Sequence, residues 1–332
     1  MNKQNLITFF IILLSVFPVT AQSTFRVMFY NVENLFDPSD NPDKKDKEFT
    51  PNGSRHWNNK RYYTKLNNLA KVITALGGWD TPVIVGLCEV ENEKVVRDLT
   101  TYSPLRNRQY RYVITESDDP RGINVALLYQ RDRFKYLYHN GIRITFPYNP
   151  QKKTRDVLHV TGQIITGDTL DIFVCHFPSR RGGQTASEPD RIRTASVIRA
   201  AIDSIKTCRL NANILIMGDF NDEPSDKSLS QVLVKDDLYN LFLPVLQRSQ
   251  TGSYKFGDQW NFLDQIIVST HLLDKQRPFY VMPETATIFQ ADFLLIDDRT
   301  HGSRRPKKTF HGYRYEGGYS DHLPVFVDFN TR

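Results

Sequence analysis

The sequence predicts an α/β protein, a four-layer sandwich in which two packed, mainly antiparallel sheets are flanked by helices. Three observations lead there. Nine apolar runs rich in β-branched and aromatic residues recur along the chain. Only two of the stretches between them carry clear helical spacing. No Gly/Ser- or Pro-rich linker and no internal repeat divides the 332 residues. Many strands with few helices argue against a barrel in which each strand is followed by a helix.

The strand runs, in order, are 25–31, 82–89, 110–116, 123–130, 157–165, 170–177, 214–220, 262–269 and 323–329. Leu66, Leu69, Ala70, Ile73 and Leu76 fall on one helical face, and Ile192, Ala195, Ile198, Ile202 and Ile205 on another. Ser187 with Asp190 three residues on has the spacing of a capping box before the second helix. The polar segments 37–60 and 297–318 read as long surface loops. Residues 1–21 read as a secretory signal peptide: Lys3, an apolar run from Leu6 to Val16, then small residues ending at Ala21. That run is short for a membrane span. The expectation is one catalytic domain over residues 24–332, exported to the periplasm or beyond, monomeric and without stable membrane insertion.

Hydrophobic residues at 40% and charged residues at 24% exclude wholesale disorder. Removing Lys3 with the signal peptide leaves 42 Lys+Arg against 37 Asp+Glu, a mild excess of +5. Such an excess suits a polyanionic partner without requiring one. Cys88 and Cys175 lie inside apolar runs and read as small buried hydrophobes, and no disulfide framework is expected with Cys208.

The apolar runs repeatedly end in metal-competent or proton-transferring residues. Asn31, Glu89, His176, Asp219 with Asn221, and Asp264 all sit on strand-like runs or at their ends, and Asp321 and His322 stand directly before the last run. Strand ends of one sheet lie side by side, so these groups can converge in one cleft. Carboxylates without a Cys ligand set suit Mg²⁺, with Mn²⁺ or Ca²⁺ as alternatives. Amides and imidazoles can hold phosphoryl oxygens and move protons. Taken singly each residue has a bland reading. Asp219 and Asn221 could be turn residues, Asn31 a loop cap and Asp264 an ion-pair partner.

NVENLFD (31–37), GLCEVEN (86–92), CHFPSRRGG (175–183), GDFNDEPSD (218–226), FLDQIIVS (262–269) and GGYSDHLPVF (317–326) together resemble the signature blocks of the endonuclease/exonuclease/phosphatase superfamily. They occur in family order over nearly the whole mature chain. The resemblance implies that Asn31 and Glu89 bind or position the metal and that Asp321 supports its site. It implies that Asp219 orients or deprotonates the attacking water and that Asn221 holds the phosphate. His176 and His322 would bracket the scissile group, with Asp264 orienting His322. It also implies an upstream carboxylate for His176. Glu116, Asp118 and Asp119 are the choices, Glu116 first.

The flavour of the blocks resembles bacterial extracellular nucleases, which makes nucleic acid the expected substrate. Arg180, Arg181, Arg304 and Arg305 are candidate phosphate contacts, with Arg191, Arg193, Lys307 and Lys308 beside them and Tyr313 and Tyr315 for base stacking. A phosphoinositide phosphatase or a sphingomyelinase-like lipid phosphodiesterase is the alternative enzyme. A non-catalytic polyanion-binding module is the alternative class, disfavoured by intact motifs.

Overall fold

The computed structural model describes residues 23–78 and 80–331. The predicted signal peptide lies outside the described residues. The chain runs β1 (Ser23–Leu35), α1 (Asn59–Gly77), β2 (Ile84–Val90), α2 (Glu93–Thr101), β3 (Arg111–Ile114) and β4 (Asn124–Tyr129). β5 (Phe134–Ile142), β6 (Val157–Ile164), β7 (Thr169–His176), α3 (Gln184–Cys208), β8 (Asn213–Asp219), β9 (Leu238–Asn240) and α4 (Leu243–Arg248) follow. The remainder is the β10 (Tyr254–Phe256) and β11 (Gln259–Asn261) hairpin, β12 (Asp264–Ser269) and β13 (Phe279–Ile288). Two more hairpins, β14 (Leu295–Asp298) with β15 (Ser303–Pro306) and β16 (Phe310–His311) with β17 (Arg314–Tyr315), precede β18 (Val325–Thr331).

Two six-stranded sheets result, ordered β13-β18-β1-β2-β4-β3 and β5-β6-β7-β8-β12-β9. Each has one parallel pair, β1 with β2 and β7 with β8, and is otherwise antiparallel. The sheets pack face to face. They approach closely at Gly86, where an added Cβ would stand 2.8 Å from Met217 Sδ of the facing sheet and 3.1 Å from the Phe29 ring. On the outer side of the second sheet, Ala195, Ile198 and Ile202 of α3 close a separate cluster with Phe173, Ile214 and Ile216. On the first sheet, Leu66, Leu69, Ala70 and Ile73 of α1 are fully buried. The predicted four-layer α/β sandwich is therefore the observed one.

Several local expectations change. Ser187 lies inside α3 and donates to Gly183 O at 2.7 Å, while Asp190 accepts from Tyr148 Oη at 2.9 Å; the helix starts earlier, at Gln184, so no capping box forms. β5 was not predicted because its surface is mostly exposed and lacks apolar alternation. α2 has only nine residues, too short for a periodic signal to stand out, although Val95, Val96 and Leu99 are buried. Segment 37–60 is more than a surface loop: Phe49 and Trp57 are buried, and Trp57 Nε1 donates to Phe36 O at 2.9 Å. Segment 297–318 holds two short hairpins.

The three cysteines are free, Cys88 and Cys175 buried and Cys208 exposed. Burial pushes the Cys88 and Cys175 thiols well up, so neither is a ready thiolate. No helix among the described residues is long and apolar enough to cross a membrane.

Candidate active site

Register places the polar strand ends together. His176 on β7 pairs with Asp219 on β8, and Asp219 pairs with Asp264 on β12, so three neighbouring strands present functional groups at one level. The first sheet supplies the rest from the facing edge. Asn31 ends the regular pairing of β1, where its register with β2 shifts between Asn31 and Leu35, and Glu89 sits at a similar shift between β2 and β4. Such bulges re-aim side chains. Of the six non-glycine residues with left-handed φ among those described, four are here: Glu33, Asn34, Glu89 and Asn221. Backbone strain of this kind concentrates at functional sites.

Asp219 is the hub. Its Oδ2 accepts from Asn31 Nδ2 at 3.0 Å, and its Oδ1 accepts from the Asn221 N–H at 2.9 Å. His176 Nε2 and His322 Nε2 stand 3.7 and 3.8 Å from Oδ2. Burial pushes its carboxyl up to about 7, against the opposing charge of His322, which poises it as a base near neutral pH. Gly218, just before it, has no room for a side chain, since a Cβ would meet Cys175 O at 2.4 Å.

His322 is held from both sheets. Its Nδ1 lies 2.6 Å from Asp264 Oδ2, and its backbone N–H donates to Ser320 Oγ at 3.1 Å. Ser320 Oγ in turn donates to Asn31 O at 2.6 Å. Burial works against its charge, but Asp264 and Asp219 outweigh it and hold the imidazole well above its ordinary value, hence protonated. His176 differs. Burial, then the charges of Arg155 and Arg121, hold it well below the ordinary value, hence neutral. Two imidazoles in opposite protonation states flank one carboxylate.

The pairing expected for His176 is corrected. Glu116 is exposed and lines a shallow depression with His139 and Asp156, away from the cleft. Asp118 pairs with Arg143 at 2.7 Å and Asp119 with Arg155 at 3.4 Å. Two of the three carboxylates are taken by local cations and the third faces solvent, and the buried His176 Nδ1 has no hydrogen-bond partner among the described residues. Arg155 Nη2 donates to Phe177 O at 2.6 Å, so Asp119 steadies the His176 segment through that arginine rather than by touching the ring.

Asp219, Asp264 and His322 present ligand-type atoms within 4.8 Å of one another. That trio makes a poor metal cage. A protonated imidazole has no lone pair to give, and Asp264 is spent on it. Glu89 and Asp321 fit a cation better. Both line the open cleft, and Asp321 is held above its ordinary value by burial and by the Glu89 charge, as expected for neighbouring hard oxygen donors. Glu89 Oε2 accepts from the Asn34 N–H at 2.9 Å and lies 3.6 Å from Arg121. Asn31 commits its amide nitrogen to Asp219 and its oxygen to the Glu33 N–H at 3.0 Å, leaving one oxygen lone pair for a cation.

The cleft has a volume of about 700 Å³. Arg180 and Arg181 stand on its rim; Arg181 is exposed, and Arg180 is braced by Asn221 O at 2.7 Å and Asp226 at 3.0 Å. Arg304 and Arg305 do not line it. Arg304 pairs with Asp292, in the turn before β14, at 2.9 Å, and Arg305 with Glu316, directly after β17, at 2.8 Å. Tyr315 packs against Phe310 and under Arg61, and Tyr313 faces Arg55; neither reaches the cleft.

A family model described as the endonuclease/exonuclease/phosphatase family matches residues 26–331. The chain belongs to that family. Its members hydrolyse phosphoester bonds, so this protein is a phosphoesterase of the endonuclease/exonuclease/phosphatase type. Solved structures agree on the fold. An endonuclease/exonuclease/phosphatase family protein from Bacteroides thetaiotaomicron is 16% identical with TM-score 0.59, over 94% of this chain and 96% of that one. The B. thetaiotaomicron mannosyl-6-phosphatase Bt3783 is also 16% identical with TM-score 0.59, over 92% and 99%. D. rerio TDP2 complexed with single-strand DNA product is 17% identical with TM-score 0.57, over 93% and 100%. A search of curated protein sequences finds no match.

Within this endonuclease/exonuclease/phosphatase fold, sequence reasoning missed several supporting groups. Lys65 of α1 is fully buried, donates to Thr309 Oγ1 at 2.6 Å and lies 3.7 Å from Glu33. Asn68 Nδ2, one turn on, donates to Gly318 O at 2.8 Å. Together they fasten the segment leading to Asp321 and His322. A Lys and an Asn at i and i+3, polar on an otherwise apolar helix face, are the signal that could have revealed them. Arg121, Tyr254 and Phe256 also line the cleft.

Asp264→Asn is expected to lower turnover while the fold persists. The carboxylate fixes the His322 tautomer and stabilises its cation; in a serine protease the like change costs about 10⁴-fold, and the same sign is expected here. Wild-type kcat in this variant, at an unchanged melting temperature, makes Asp264 structural only.

Proposed function

We propose that this phosphoesterase is exported, depends on a divalent cation and hydrolyses the phosphodiester backbone of nucleic acid. The observation that carries the reading is a poised carboxylate, Asp219, set between a neutral and a protonated imidazole at the base of a cleft rimmed by Arg180 and Arg181. Asp219 takes the proton of the attacking water. His322, as imidazolium, donates toward the phosphoryl oxygens or the leaving oxygen. His176 donates through its one N–H, which the neutral ring must carry on Nε2 to serve the cleft. Asn221, fixed by its Nδ2 bond to Phe177 O at 3.1 Å, holds the phosphate. Glu89, Asp321 and Asn31 would hold a divalent cation, which would supply charge neutralisation at the phosphoryl group. The N-terminal signal motif supports export, which N-terminal sequencing of the mature protein from the periplasm or medium tests.

One observation favours a second reading, hydrolysis of a phosphorylated small molecule. The cleft has the size of a small-ligand site, and two of the four candidate phosphate-binding arginines face elsewhere. Parallel assays with Mg²⁺ on single-stranded DNA, RNA, plasmid, sugar phosphates, phosphoinositides and sphingomyelin separate the readings. Cleavage of sugar phosphates alone overturns the nucleic-acid reading. Binding without hydrolysis in every assay leaves only a polyanion-binding module.

Salt dependence gives a finer test. Replacing the exposed Arg181 by Ala is expected to reduce the log–log salt slope of oligonucleotide binding by about one, and replacing Arg180, which Asp226 holds at 3.0 Å, by less. Replacing Arg304 or Arg305 is expected to leave it unchanged, because each is satisfied by its own carboxylate. A reduced slope in the latter pair places the nucleic acid over the wrong face.

A further inference from the structure

The β10–β11 hairpin forms one wall of the cleft, and its base is firmly anchored. Tyr254 lies against the His322 ring, with centroids 4.7 Å apart, and the two residues form an isolated β-bridge. Ser253 accepts the Leu323 N–H on its carbonyl at 2.7 Å and the Asp264 N–H on its hydroxyl at 3.0 Å. Lys255 has an almost fully buried side chain and reaches Asp298 at 3.4 Å.

Side chains alternate faces along a strand, so Tyr254 and Phe256 share one face and Lys255 takes the other. Both aromatics line the catalytic cleft. Phe256 is nonetheless 74% exposed, just before the left-handed turn at Gly257. A lone exposed Phe is ordinary. This one stands on a rigid support two residues beyond the aromatic that touches His322, at about 3.3 Å of strand rise per residue, within reach of a group joined to the scissile phosphate. Directly across the hairpin in register is Gln259, whose exposed amide also lines the cleft.

The geometry points to a nucleobase platform: Phe256 stacks the base adjoining the scissile phosphate, and Gln259 can bond its edge. Stacking on an aromatic is tolerant of base identity, since every base has a π-face. The inference rests on the nucleic-acid reading and adds the subsite that distinguishes a nucleotide from a bare sugar phosphate.

The test compares adenosine 5′-monophosphate with ribose 5-phosphate by calorimetry on the whole mature protein with Mg²⁺, in wild type, Phe256→Ala and Phe256→Tyr. Wild type is expected to prefer the nucleotide by roughly 10-fold, the size of one base stack. Phe256→Ala erases that preference and Phe256→Tyr retains it. On single-stranded oligonucleotide, Phe256→Ala raises KM by a similar factor with kcat spared, and an oligonucleotide of abasic residues shows no such change. Equal affinity of wild type for both ligands, including no measurable binding of either, overturns the platform. So does undiminished preference in Phe256→Ala. If the preference appears and is lost as expected but wild type cleaves no nucleic acid, the platform stands and the nucleic-acid substrate falls.

Discussion

Asp219→Asn and His322→Ala are each expected to lower kcat by at least about 10²-fold, the range for a general base or an oxyanion-type donor. The double variant is expected to be little worse than the weaker single one. Both groups serve one water and one phosphoryl centre, standing 3.8 Å apart, and residues that act as a unit lose activity non-additively. Asp219→Asn keeps the shape and an oxygen for the Asn221 N–H, but it sets one amide NH₂ against that of Asn31. A thermal melt of each variant therefore accompanies the kinetics. Multiplicative losses in the double variant, with unchanged melting, separate the two residues into independent roles and defeat the assignment.

Removal of divalent cations is expected to have an effect at least as large. A bound cation supplies several kcal/mol of charge stabilisation in phosphoryl chemistry, about 10³-fold or more in rate. Exhaustive EDTA treatment and dialysis should abolish hydrolysis, and Mg²⁺ or Mn²⁺ should restore it. Glu89→Gln and Asp321→Asn should raise the cation concentration needed for half-maximal rate, because they remove two carboxylates that line the cleft and repel each other. Full activity after chelation sinks the metal assignment. An unchanged cation requirement in both variants moves the site elsewhere, with Asp219 the next carboxylate to test.

Much of this architecture was legible before any coordinates. All nine apolar runs named in the sequence are strands of the two large sheets; the α1 face is buried throughout, and of the α3 face Ala195, Ile198 and Ile202 are buried, Ile205 is half-buried and Ile192 stays outside the core clusters. A strand buried on a sheet face must present apolar side chains at short range, so local pattern suffices to find it. β5, β9 and β13 escaped, all three at sheet edges, where β5 is mostly exposed and β9 is only three residues long. The grouping of Asn31, His176, Asp219, Asp264 and His322 was also foreseeable, since polar residues that end apolar runs fall at sheet edges.

Failures have a common cause. Glu116 ranked ahead of Asp118 and Asp119 as the partner of His176, yet Glu116 faces solvent and Arg143 and Arg155 claim the other two. Arg304 and Arg305 looked like a free basic patch, yet Asp292 and Glu316 neutralise them. Lys65, fully buried on α1, stood out only as a polar residue on an apolar helix face, and its partners Thr309 and Tyr319 lie far off in the chain.

The sequence by itself determined the fold class, the strands and the chemical inventory of the site, because burial periodicity and residue type are local properties of the chain. Only the tertiary structure decided which charges are spent and which remain free, which imidazole is protonated, and which aromatic faces the cleft. Those depend on partners far apart in the chain, as in the Ser320 to Asn31 bond across 289 residues, and on burial that shifts the charge of one group according to its neighbours.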